Sequence, residues 1–217
     1  MYKALYDEKH RFWEISASNA GCEIPHQKGI REQLFCGDCE QLFSIYERYA
    51  SLVLNGGAKI ETRLVDGNRI FIKGVDYSDF KLFQLSIIWR ASVSKLSMFS
   101  EVNLGKHEEI IRLMLLNRCP GENYQYPVLL SPIIHENDVV EALIVKPTAT
   151  RIDGQNAYRF VFGGIAWIFV VSSHKSAECI VEAALNRSGL LKLMPRKISD
   201  MNFIVDMAKE MNRSKSH

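Results

Sequence analysis

Cys36-Gly37-Asp38-Cys39 is the stretch that most limits how this chain can fold. Two cysteines separated by two residues can aim both thiolates at one centre, which is half of a tetrahedral zinc site. Behind the pair, Leu42, Ile45, Tyr49 and Leu52 recur at spacings of three and four, and Gly56-Gly57 supplies a stop. Residues 40–55 therefore read as a helix opened by the cysteines. Upstream, Cys22 and His26 extend the pattern to C-x3-H-x9-C-x2-C, four thiol and imidazole groups within 18 residues. The expected metal set is Cys22, His26, Cys36 and Cys39, with structural zinc closing an N-terminal region too loop-rich to build much core. The plain alternative is a pair of packed thiols. A redox CxxC is disfavoured because no βαβ pattern precedes it.

Composition narrows the class. The 217 residues are 47% hydrophobic and 24% charged, ordinary for a globular protein, and the net charge of +2 does not by itself argue for nucleic acid. Five cysteines make an odd, sparse set, unlike a secreted disulfide framework, so a reducing cytoplasm is the expected compartment. The first ten residues contain no apolar signal-like run, and the most apolar run, 163–171, is far too short to span a bilayer. No membrane partner is expected.

Along the chain, Asp66-Gly67-Asn68 between two β-rich runs predicts a hairpin of 59–65 with 69–73. Asp76 or Ser78 can cap a second helix running to about residue 96. It is apolar on most faces, so it should be central and buried. A third helix fits 106–116, with Glu108 placed to pair with Arg112 four residues on. From Pro127 the pattern turns to β, with strands expected at 128–134, 139–145, 157–162 and 165–172, then helix around 177–185 and again after Ser199. The expected class is α+β: an N-terminal zinc-knuckle and helix lobe, central helices, and an antiparallel sheet with C-terminal helices. Residues 1–75 and 76–217 are the natural division, although no linker separates them.

Other residues invite chemistry. Arg90, inside the buried helix, is either paired with a carboxylate such as Glu101 or Glu109, or aimed as a planar fork at a phosphate. His107, Glu108, Glu109 and Arg112 form either an acid–base cluster on one helix turn or a solvated charged face. Tyr158, Arg159, Phe160 and Phe162, near Lys146 and Arg151, interleave aromatic and basic side chains as a base-stacking strand platform would, or simply pack. There is no P-loop, no G-x-S-x-G elbow and no HExxH spacing.

The segments 34–47 (LFCGDCEQLFSIYE), 85–94 (LSIIWRASVS) and 104–112 (LGKHEEIIR) resemble a group of uncharacterised bacterial proteins sharing a Cys-x2-Cys-Glu knuckle and a Phe-Ser-x-Tyr-Glu helix. The knuckle and helix are also similar to the treble-clef part of HNH endonucleases. That resemblance implies association with nucleic acid, structural zinc, and either a retained or a lost metal-dependent nuclease. In a retained nuclease His26 would activate water and Glu40 would help hold Mg²⁺ at the scissile phosphate. The chain departs from the family in two ways. It has no first CxxC upstream, and Gly21, Cys22 and Glu23 stand where an Asp-His would precede the Ile-Pro run. The other reading is a non-enzymatic binding protein whose sheet and Arg90 helix hold a nucleotide-like or protein ligand, with Arg90, His107, Arg112, Tyr158 and Arg159 as the contacts.

Overall fold

The computed structural model of the chain describes residues 32–65, 68–136, 138–141 and 143–202, and the backbone of 12–13 and 25–26. Two short strands, β1 (Phe12–Trp13) and β2 (Pro25–His26), pair antiparallel with Phe12 opposite His26. They precede α1 (Gly37–Leu54), which opens on Cys36 as its N-cap. The hairpin β3 (Glu61–Val65) and β4 (Arg69–Lys73) follows, then α2 (Tyr77–Val93) and α3 (Lys106–Leu116). The second half is mainly strand: β5 (Val128–His135), β6 (Asp138–Val139), β7 (Val145–Ile152), β8 (Gln155–Phe162) and β9 (Ile165–Val170). A short α4 (Glu178–Ala183), β10 (Leu191–Leu193) and β11 (Arg196–Lys197) follow among the described residues. The class is α+β, with nine strands joined in one mostly antiparallel sheet of order β3-β4-β10-β5-β9-β8-β7, and β6 and β11 both paired to β5.

The boundaries follow local chemistry. The Asp76 carboxylate accepts the Asp79 amide at 2.8 Å and starts α2 one residue on. Gly154 takes a positive φ in the turn that joins β7 to β8. The strand expected at 139–145 is not one strand. Residues 138–139 pair briefly with β5, and the long strand starts only at Val145. Residues 145–152 become its body because they are the ones that find a partner, in β8, with a register shift between Val145 and Thr148. The helix expected after Ser199 falls largely outside the described residues, which end just after a 3-10 turn at Ile198–Asp200.

α2 is the centre. Residues 80–86, Ile88 and Ala91 are all buried, because α1 and α3 pack against it and the sheet lies beneath. Strand alternation sends Tyr158, Phe160, Trp167 and Phe169 to the same sheet face, where Phe83 meets Trp167 edge-on at 6.1 Å. The core that joins Phe43 and Tyr46 of α1 to Leu191 and Leu193 of β10 is one continuous cluster crossing residue 75. The opposite sheet face is covered in two patches, one around Ile133, Val145, Val161 and Ala166, the other where Ile180 of α4 meets Ala157 and Val170. No helix among the described residues is long and apolar enough to cross a membrane.

Candidate functional site

Cys36 caps α1 and is exposed, while Cys39, three residues on, is half-buried against the core. The Glu40 amide donates to the Cys36 carbonyl at 3.0 Å, so the helix begins between the two thiols. The Cys36 sulfur makes no full capping hydrogen bond. Nevertheless, the Cys39 amide and thiol both approach it and hold its pKa below the usual thiol value. The same contact with Cys36, followed by burial, pushes Cys39 up. Two sulfurs that converge within one helical turn fit half of a tetrahedral zinc site. Among the described residues no group of three or more His, Cys, Asp or Glu side chains converges to complete one. Cys22 lies outside those residues, and His26 is described only as backbone on β2. Glu40 is exposed in the first turn of α1.

The remaining sequence candidates do not gather into one site. Arg90 pairs with Glu47 of α1 at 2.5 Å and also donates to the Ser86 carbonyl and hydroxyl at 3.1 and 3.0 Å. Its fork is thus spent on tying α2 to α1, and neither Glu101 nor Glu109 is its partner. Glu101 approaches Lys146 and accepts from the Ala149 amide on the edge strand β7, while Glu109 holds Arg112 through two bonds of 2.6 and 2.7 Å. Glu108 accepts from Ser92, so the expected Glu108–Arg112 pair gives way to an i, i+3 pair. On β8, Tyr158 is buried and donates to the Asn103 carbonyl. Arg159 points to the other face and donates to Thr148 at 3.1 Å. Phe162 stacks on Trp167 at 5.1 Å. The aromatic and basic residues of this strand therefore serve opposite faces, and the aromatics are occupied by the core.

Two features escaped the sequence reading. Lys81, in the run Phe80-Lys81-Leu82-Phe83, is 2% exposed, and its ammonium group donates to the Tyr126 carbonyl. Burial alone pulls it down to about 7. Its position inside an all-round apolar helix was the available signal, but a lysine there reads as one that reaches solvent. The second is an open cleft of about 580 Å³ between the start of α2 and the 187–189 turn, walled by Tyr77, Pro120 and Arg187 among others. Arg187 lies over the Tyr77 ring at 5.8 Å and pairs with Glu122 at 2.6 Å. Tyr77 donates to the Gly121 carbonyl, and burial raises its hydroxyl to about 12. Gly189 makes this approach possible: its φ is +76°, and a Cβ there would meet the Val75 carbonyl at 2.4 Å.

No family model, curated protein or solved structure matches the chain.

Proposed function

We propose that this chain is an HNH-like zinc-knuckle protein that associates with nucleic acid. The observation that carries the reading is the thiol pair at the N-cap and third residue of α1, placed after an antiparallel strand pair that bears His26. Strand, strand, helix is the element order of the HNH resemblance, and Cys36 and Cys39 stand where its knuckle would supply two thiolates. Bound zinc would contribute folding free energy to the N-terminal region by clamping the segment of Cys22 and His26 to the start of α1. Cys36 and Cys39 would hold it, with Cys22 and His26 completing the set. A cytoplasmic location fits thiols that stay reduced.

Zinc analysis of protein purified without chelator tests this reading. About one zinc per chain in the wild type, with loss in Cys36→Ser, supports it. Well-folded wild type without zinc ends it. Plasmid incubated with Mg²⁺ or Mn²⁺ then separates a retained nuclease, which His26→Ala would silence, from a scaffold that only binds. The second reading is a non-enzymatic binding protein, favoured by the cleft beside Arg187. It requires thermal stabilisation by a nucleotide-like ligand without turnover, lost in Arg187→Ala.

A further inference from the structure

We propose that Ser173 and His107 form a serine–histidine acyl-transfer site on this protein, with Tyr126 as the positioning residue for the imidazole. It is independent of the zinc-knuckle reading. Three segments far apart in the chain meet here: the first turn of α3, the loop before β5 and the loop after β9. His107 Nδ1 lies 3.0 Å from the Tyr126 hydroxyl, and its Nε2 lies 3.5 Å from Ser173 Oγ. Both ring nitrogens are thus engaged, one by a hydroxyl nucleophile and one by an orienting group, which is the geometric pattern of an activated serine. In the base-competent tautomer Nδ1–H donates to the Tyr126 oxygen and the Nε2 lone pair faces Ser173.

The parts are braced. Tyr126 is 8% exposed, has φ +50°, meets the His107 ring edge-on at 5.6 Å, and is held at its carbonyl by Lys81. A non-glycine residue kept in the left-handed region by contacts at both ends is strain of the kind found at working sites. The Ser173 loop is fastened to β8, where the Gln155 amide donates to the carbonyls of His174 and Lys175 at 3.4 and 3.2 Å. Ser173 is exposed and open to substrate, while His107 is half-buried. Burial, then the charge of Lys106, keeps His107 below the ordinary histidine value, so the imidazole is neutral and able to accept a proton near pH 7. A phenol accepts less strongly than the carboxylate of an acidic triad, so turnover should be slow.

The substrate class is a small activated acyl ester. His107 Nε2 takes the hydroxyl proton as Ser173 Oγ bonds to the acyl carbon. The ester C–O bond then breaks, and the departing alkoxide takes that proton from His107. Water repeats the sequence on the acyl-serine, releasing the carboxylic acid and restoring Ser173.

The probe is p-nitrophenyl acetate, followed by release of nitrophenol and by mass mapping of the acetylated peptide. The expected result is acetyl on Ser173, none in Ser173→Ala, and acylation slowed about 100-fold or more in His107→Gln. Tyr126→Phe should slow acylation about tenfold and move the midpoint of its pH profile. Should His107→Gln not fold by circular dichroism, the wild-type profile decides: acylation must fall through one ionisation below about 6.5. Acetyl absent from Ser173, acylation unaltered in folded His107→Gln, or a wild-type profile without that ionisation would overturn the assignment.

Discussion

Glu47 of α1 and Arg90 of α2 meet at 2.5 Å, with the guanidinium also bonded to the Ser86 carbonyl and hydroxyl one turn back on its own helix. The side chains are 27% and 43% exposed for Arg90 and Glu47 respectively, so solvent screens the pair and its net value is modest. Glu47→Gln should cost about 1 kcal/mol, mainly by leaving a half-buried cation poorly paired. A double-mutant cycle with Arg90→Met, measured by urea unfolding, should return a coupling of similar size. Strict additivity of the two substitutions would show that the helices are held by packing alone.

Lys81 makes stability depend on pH. Unfolded, it titrates near 10.5. Folded, it titrates near 7, because burial penalises the ammonium. Between these values the unfolded chain binds a proton that the native chain does not, so this residue makes stability rise with pH across that window. Below about 7 both states are charged and the penalty is constant. The difference between wild type and Lys81→Met should therefore change by on the order of 1 kcal/mol per pH unit between pH 7.5 and 9.5. Urea midpoints at several pH values check it, and parallel profiles for the two proteins would refute it.

Gly189→Ala should destabilise by at least about 2 kcal/mol, combining a left-handed backbone with a Cβ driven into the Val75 carbonyl. Because Val75 also donates its amide to the Gly189 carbonyl at 3.1 Å, the same change should loosen the cleft beside Tyr77 and Arg187. Hydrogen exchange at the Val75 amide would report it. Unchanged protection there would mean that the turn adjusts without strain.

Phe83→Ala should cost about 3–5 kcal/mol, since the ring is 1% exposed and wedged against Trp167 between helix and sheet. Phe99→Ala, at a partly buried ring on the rim of the same core, should cost clearly less. Equal thermal shifts for the two would show that α2 is not the energetic centre.

Local chemistry was legible before any fold was known. The central helix, the 106–116 helix and the hairpin at Asp66-Gly67-Asn68 all follow from side chains acting on their own neighbourhood, while the structure chose Asp76 over Ser78 as the cap and began the hairpin at Glu61 instead of residue 59. The strand expected at 139–145 failed for the complementary reason. Both 139–145 and 145–152 carry β-forming residues, and only the partner strand β8 selects between them.

Taken by itself, the sequence determined the α+β class, the cysteine pair at a helix start and an apolar helix that had to be central, because each depends on periodicity or on contacts within a few residues. Tertiary structure alone decided that Arg90 belongs to Glu47, that Lys81 is sealed under Tyr126, and that His107 stands between Tyr126 and Ser173 instead of with Glu108. These pairings join residues 19 to 66 positions apart. Which long side chain reaches which partner is set by how helices and strands pack, and no local pattern encodes that register.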